Sequence, residues 1–406
     1  MNGKIPEGWR ECRIGDIATS NMRSVTSDYP FKIIKYLDTG SITCGKLESY
    51  QEIPFANAPS RAKRLASDGD IVYSNVRPIQ RHYGLLKNPP KNLVVSTGFS
   101  VISVDKNRAD PRFVYDYLSS DEIVEYLDSV AEGSTSAYPS LRPSDIDNLF
   151  ILLPPLPEQR AIASVLSSLD DKIDLLHRQN KTLEAMAETL FRQWFVEPCK
   201  DGLPEGWEEG TLGDICTVIT KGTTPTTIGH QFTNTGVNFV KAESITDTGD
   251  FVVDKFAKIS EETHKFLNRS ILRDGDILCS IAGTIGRIAI CTIDILPANT
   301  NQAIAIIRAD LEKCYPEFIY LFMKSPLFRD TMDGKIVHAV QPNLSLGEIS
   351  NSTLKMPPSA YMMSFKELIR PLFLKKKYNI FQIRTLEKLR DTLLPKLMSG
   401  EVRVQV

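Results

Sequence analysis

Ile5-Pro6-Glu7-Gly8-Trp9, followed by Ile14-Gly15-Asp16-Ile17, returns in mid-chain as Leu203-Pro204-Glu205-Gly206-Trp207, followed by Leu212-Gly213-Asp214-Ile215. Other segments recur in the same order. Asp68-Gly69-Asp70-Ile71 is matched by Asp274-Gly275-Asp276-Ile277, and Leu153-Pro154-Pro155 by Met356-Pro357-Pro358. Lys181-Thr182-Leu183-Glu184 is matched by Arg384-Thr385-Leu386-Glu387. The spacing between partners drifts, which places insertions in loops and keeps the framework. The chain is therefore two successive copies of a unit of roughly 200 residues.

Each copy opens with short β-branched and apolar runs broken by Gly, Pro, Asn and Asp, a pattern of strands joined by turns. In the first copy the runs fall at 33–36, 71–74, 93–95 and 100–104; in the second, at 239–240, 277–281, 288–290 and 303–307. A short helix is expected after each set, starting at Pro111 and Pro316, since proline suits the first helical position.

The texture then changes. From 157 to 195 neither Gly nor Pro follows the opening Pro157-Glu158, and Ile162, Leu166, Leu169, Ile173, Leu176, Asn180, Leu183, Ala187, Leu190 and Trp194 recur at alternating steps of four and three. That is a sustained heptad seam, with Glu158 near the positive helix end. At ~1.5 Å per residue the helix extends ~58 Å. It cannot bury its seam alone. The second copy supplies a partner over 359–398, with Phe365, Ile369, Leu372, Ile383, Leu386, Leu393 and Leu397 on its stripe. Pro371 is expected to kink this helix and Lys375-Lys376-Lys377 to interrupt the stripe, either as a solvated face or as a nonspecific contact to DNA. Antiparallel pairing within the chain would leave Asn180 to fix register.

The 406 residues carry 48 Lys+Arg against 50 Asp+Glu, a net charge of −2, so any nucleic-acid role must come from local patches. Seven scattered cysteines without Cys-x-x-Cys spacing suggest reduced thiols in a cytoplasmic protein, and no metal site is expected. No stretch is apolar enough for a signal core or a membrane span. Enzyme signatures fail one by one. In Gly40-Ser41-Ile42-Thr43-Cys44-Gly45-Lys46 the phosphate-loop spacing is followed by Leu47 where a hydroxyl must reach Mg²⁺. Gly283-Thr284-Ile285-Gly286 lacks the third glycine of a dinucleotide loop. Asn88-Pro89-Pro90 is followed by Lys91 instead of the aromatic of an amino-methyltransferase loop, and Asp333-Gly334-Lys335 has no evident partner carboxylate for nuclease work. A binding protein is favoured.

Taken in order, these motifs resemble the DNA-specificity subunit of type I restriction–modification systems. The resemblance rests on the duplicated Pro-Glu-Gly-Trp and Gly-Asp-Ile segments and on Asp274-Gly275-Asp276-Ile277-Leu278 leading to Gly283-x-x-Gly286. It rests further on Asn301-Gln302 and on Leu153-Pro154-Pro155-Leu156-Pro157-Glu158-Gln159 opening a long helix. The first copy departs from it with Asn75-Val76-Arg77-Pro78 in place of Gly-x-x-Gly, and the second with Ser359-Ala360 in place of Pro-Glu-Gln. The resemblance implies an α+β chain with a pseudo-two-fold internal repeat. Two similar sheet-rich target-recognition domains, 1–156 and 198–358, would be separated by two long antiparallel α-helices, 157–197 and 359–406, forming a coiled coil. It also implies double-stranded DNA with a split recognition site, two modification (methyltransferase) subunits that carry S-adenosylmethionine, and motor-nuclease restriction subunits in the full complex. The chain itself would bind no cofactor and catalyse nothing. A spacer of ~58 Å would hold the half-sites at most ~17 base pairs apart. A scaffold without a DNA role is the other reading, and an autonomous methyltransferase or nuclease a third.

Base reading requires polar side chains on loops or strands that reach base edges. In the first copy Arg61, Lys63 and Arg64 form a basic cluster, and Ser74, Asn75, Arg77, Gln80, Arg81, His82 and Tyr83 concentrate donors after a strand. Six Lys/Arg against two Asp between positions 61 and 87 suit a phosphate-binding stripe. Ser134, Thr135 and Tyr138 form a second polar loop, matched by 335–341 in the other copy. There, Lys221, Thr223 and Thr224 are candidates beside Gly222, with Lys241, Glu243, Thr284 and Arg287. Asn299, Asn301, Gln302, His338, Gln341 and Asn343 complete the set, with Asn301-Gln302 equally readable as a turn cap.

Overall fold

The computed structural model describes residues 5–26, 28–133, 140–329 and 343–405. It forms two compact units, Met1–Leu175 with Gln382–Val406, and Leu176–Phe381. Both long helices contribute a segment to each unit.

In the first unit the strands Ala18–Ser20, Phe99–Val104, Ile71–Ser74 and Tyr83–Leu85 form an antiparallel sheet. A second, mixed sheet is ordered Gln51–Pro54, Ile33–Leu37, Leu93–Ser96, Ala62–Leu65, its middle pair parallel. The second unit repeats both: Cys216–Lys221, Ile304–Ala309, Ile277–Ser280 and Ile288–Ile290, then Ala257–Ile259, Val237–Val240 and Ala298–Thr300. Among the described residues its mixed sheet has three strands, and the place of the fourth holds the isolated bridge Ile271–Asn299. The expected helices run Pro111–Leu118 and Pro316–Lys324, each with proline at its start.

The duplicated motifs are structural. Asp16 accepts from the Arg13 amide and Asp214 from the Thr211 amide, both at 2.8 Å, so Gly-Asp-Ile closes one tight turn in each copy. Gly69 and Gly275 have φ of +84° and +85°, the left-handed region that glycine alone adopts freely. Each is followed by a buried carboxylate. Asp70 accepts from the Ser67 amide, and Asp276 receives Arg308 through two bonds of 2.7 Å. Where the copies differ at the helix start, the contacts differ too. Glu158 accepts from Trp9 Nε1 at 3.1 Å, whereas Trp207 packs on Tyr361 with ring centroids 5.2 Å apart.

The first long helix spans Leu156–Phe191 and widens into a π turn at Arg192–Val196. The second spans Ser359–Ser399 without interruption through Pro371. Every seam residue expected on the first helix is buried or half-buried. The seam of the second is longer than its apolar stripe: Phe365, Ile369, Leu372, Lys376, Asn379, Ile383, Leu386, Arg390, Leu393 and Leu397 keep the four-and-three alternation, none of them exposed. Lys376 therefore corrects the expectation for the lysine run. It is a seam residue, bonded to Glu184 at 2.8 Å, while Lys375 and Lys377 are exposed. Next to it the Asn379 amide donates to Asn180 Oδ1 at 2.9 Å. In the second unit 184 meets 376 and 180 meets 379; in the first, Arg390 reaches Asp170 at 3.0 Å while Leu166 and Leu397 share one core. Both segments run antiparallel, and they belong to the domain cores. Ile162, Leu166 and Leu397 pack with the first sheet's Ile71 and Tyr73; Ala187, Phe191 and Phe365 pack with Ile277 and Ile307.

Asn379→Leu strands the Asn180 amide in the seam and should lower unfolding free energy by about 1–3 kcal/mol. Combining it with Asn180→Leu should cost less than the two single changes together. Urea denaturation of the four proteins measures the coupling; losses that simply add would contradict the pairing.

Candidate nucleic-acid interface

In each unit a loop joins the same two strands of the antiparallel sheet, and the same backbone bonds hold it. In the first unit, loop 75–82 is entered by a bond from the Asn75 amide to the Gly98 carbonyl at 2.8 Å. The Asn75 carbonyl accepts from the Leu141 amide at 2.7 Å. In the second, loop 281–287 is held by the Ile281 amide on the Ala303 carbonyl at 2.8 Å and by the Leu344 amide on the Ile281 carbonyl at 3.0 Å. Asn75-Val76-Arg77-Pro78 thus stands in the place of Gly283-x-x-Gly286, despite its different sequence. Gly283 and Gly286 turn their loop at φ of +74° and +88°; Arg77 and Arg81 do the same at +46° and +58°, costly for side chains with a Cβ.

The buried serine before each loop is part of this anchoring. Ser74 Oγ donates to the Val76 carbonyl at 3.0 Å; Ser280 Oγ donates to the Thr284 carbonyl at 2.5 Å and accepts from the Arg287 amide at 2.8 Å. Ser74 is 2% exposed and leaves the set of DNA-reading candidates for that reason. Tyr83, 4% exposed, leaves it too: its ring stacks on Tyr73 at 5.4 Å, its hydroxyl donates to the Ser119 carbonyl, and burial raises its pKa. Asn75 accepts from Ser100 Oγ at 2.7 Å. His82 Nδ1 lies 2.8 Å from the Ile42 carbonyl. Arg81 is tied to Asp121 at 2.7 Å. These polar side chains shape the loop, while Arg77 and Gln80 remain exposed with Ile79 between them. Ile79 was not expected, because an apolar residue between two arginines carries no signal of exposure; its amide is held by Asp128 at 3.1 Å.

The basic cluster flanks the same loop. The Arg61 carbonyl accepts from the Thr97 amide at 2.8 Å, in the turn whose Gly98 receives Asn75. Arg61 and Lys63 are exposed, whereas Arg64 lies half inside its strand, with Nε buried and unpartnered and burial lowering its pKa.

In the second unit Thr284 is exposed, but Arg287 is folded back on Asp247 at 2.7 Å. Lys241 sits 4.9 Å from the Phe232 ring, beside Glu243. A second cluster forms where the Gly222 amide meets the Asn301 carbonyl at 3.1 Å. There Gln302 accepts from the Thr224 amide and hydroxyl, and Arg269, absent from the expected set, donates to Thr223 Oγ1 at 3.0 Å. Asn301 caps its own turn through the Ala303 amide at 3.1 Å, and Asn299 is fully buried against the Leu267 carbonyl and Ser270. Lys221 is exposed on the strand entering this cluster, and Asn343 is exposed on the bridge to Ala282. Ser134, Thr135, Tyr138, His338 and Gln341 lie outside the described residues. Among the described residues no group of three His, Cys, Asp or Glu could hold a metal ion, and no helix is long and apolar enough to cross a membrane.

The chain is thus a protein of two domains of one plan, each presenting a polar loop of different composition from a common backbone frame. The family described as Type I restriction modification DNA specificity domain matches residues 6–185 and 204–361, and the chain belongs to it. It is 25% identical over 470 residues to the HindI type I restriction enzyme specificity subunit of Haemophilus influenzae, covering 97% of this chain and 99% of that one. It is 30% identical over 438 residues to the MjaIX specificity subunit of Methanocaldococcus jannaschii, covering 99% and 95%. The crystal structure of a type I restriction–modification S subunit from M. genitalium shares the fold, with a TM-score of 0.59, 17% identity and coverage of 98% and 97%.

Ser280→Ala removes the hydroxyl that serves both the Thr284 carbonyl and the Arg287 amide, at a cost of about 1–3 kcal/mol. Hydrogen exchange should quicken across 281–287 and stay unchanged across 75–82. Equal protection in both proteins would contradict the anchoring role.

Proposed function

We propose that this chain is the DNA-reading specificity subunit of a type I restriction–modification complex. Each domain reads one part of a split target, and the paired helices fix the gap and dock two modification subunits. Methyl transfer from S-adenosylmethionine belongs to those partners, and cleavage to restriction subunits of the full complex; this chain supplies recognition alone.

The observation that carries the reading is the shared loop frame with unlike contents. Arg77 and Gln80 are exposed on one loop and Thr284 on the other, so identical frames would address different bases. A protein with two such surfaces suits a target whose halves differ in sequence. Arg61 and Lys63 beside the first loop, and Lys221 beside the second cluster, have the chemistry of phosphate contacts, which position the protein without reading sequence. Arg81, held by Asp121, serves the loop's shape and so acts on recognition indirectly.

Gel-shift competition with the modification subunits present tests this directly. Arg77→Ala should relax selectivity in one half of the target by about 1–3 kcal/mol and leave the other half unchanged. Lys63→Ala should weaken all duplexes alike and flatten the salt dependence. Binding that never selects a two-part sequence would refute the proposal. Equal loss in both halves on Arg77→Ala would remove Arg77 from base reading.

A further inference from the structure

The two units differ where a short helix meets the long ones. In the second unit Glu184 is half-buried and saturated: Tyr320 donates to it at 2.7 Å, Lys324 lies at 2.7 Å and Lys376 at 2.8 Å. Burial works to raise the Glu184 pKa, yet Lys376 and Lys324 hold it below the ordinary carboxylate range. The internal repeat names the counterpart of each group. Glu184 corresponds to Glu387 and Tyr320 to Tyr115, but Lys324 corresponds to Ser119 and Lys376 to Ile173. The first unit keeps the carboxylate and the tyrosine and has lost both cations.

What stands there instead is a cleft of about 880 Å³, lined entirely by residues of the first unit. Nine carboxylates face five cationic side chains along it. Four of those cations are already engaged: Arg81 with Asp121, Arg112 with Asp116 and Asp170, Arg390 with Asp170 and Asp391, Lys87 with Asp171. Glu387, half-buried, has no hydrogen bond or ion pair among the described residues. Asp116, which replaces Leu321 of the other copy, is 4% exposed; Arg112 satisfies one of its oxygens at 2.7 Å, and the other is buried without a partner. A buried carboxylate oxygen without a hydrogen-bond partner has lost its water and gained nothing in exchange. Burial, against the pull of Arg112, lifts the Asp116 pKa to about 7. Ile173, Leu166 and Leu394 add apolar wall beside these acids.

We infer that this cleft receives a lysine- or arginine-bearing segment of a partner polypeptide, which supplies in trans the cations that Lys324 and Lys376 supply within the second unit. A cationic side chain is an apolar stem with a charged tip, and the cleft offers a wall for the first and unpaired carboxylates for the second. The volume is that of a short peptide, not of a bare ion, and the molecule's own second copy shows lysine as the matching group.

The probe is dye-labelled tetra-lysine amide, titrated by fluorescence anisotropy against the full chain without DNA, so that the outcome is separate from base reading. Glu387→Gln should weaken binding at least fivefold. Ser119→Lys, which restores the cation of the second unit, should occupy the cleft from within and weaken it likewise, with no loss in melting temperature. Glu261→Gln with Glu262→Gln, on an exposed turn of the second unit, should bind as the parent does. Unchanged affinity in the first two variants, or equal loss in the control pair, would overturn the inference.

Discussion

Register between the two long helices is the constraint on which the structure turns. A heptad seam made only of aliphatic residues can slide by a turn at little cost, because one leucine layer resembles the next. Here the sliding is blocked by chemistry that fits in one place: the Asn180–Asn379 amide pair and, one turn away, Lys376 on Glu184. In the first unit Arg390 on Asp170 plays the same part. Displacing these pairs by a turn would leave the Asn180 and Asn379 amides unpaired in the seam and part the Lys376–Glu184 and Arg390–Asp170 ion pairs. Because the outer seam residues, among them Ile162, Leu166, Ala187, Phe365 and Leu397, also belong to the domain cores, the register that the polar pairs set is passed along the helices to the sheets and so to the loops they carry.

The loops show how one frame can hold two vocabularies. The frame that 75–82 and 281–287 share is backbone or buried: the serine at the strand end, the Gly98 or Ala303 carbonyl that accepts from the first loop amide, and the amide of Leu141 or Leu344. None of these groups constrains the exposed side chains. The exposed loop residues can therefore change without disturbing the fold, the property a specificity domain needs when a relative shares only about a quarter of its residues with it.

Much of this was legible in the sequence because duplication and heptad spacing are long-range signals that single substitutions do not erase. Ile71–Ser74 and Ile288–Ile290 appear as expected, and every seam position of the first helix is turned inward. The second seam was only half legible. Lys376 and Asn379 keep its spacing, but a charge run looks like a surface until its partner Glu184 is known. The site was less legible still. Ser74, Tyr83 and Asn299 have the composition of base-reading residues and are spent inside the protein, while Ile79 and Arg269 gave no sign. A hydroxyl or amide serves a turn and a base edge with the same atoms, and backbone geometry alone decides which. The left-handed φ at Arg77 and Arg81 is such a decision, and no residue type announces it.

Selection of bound duplexes from a randomised library, repeated with loop 75–82 replaced by an unrelated loop on the same anchors, probes the whole account at once. The account predicts a two-part motif of fixed gap in which the exchange rewrites one part and preserves the other. A single contiguous motif, or an exchange that alters both parts together, would contradict it.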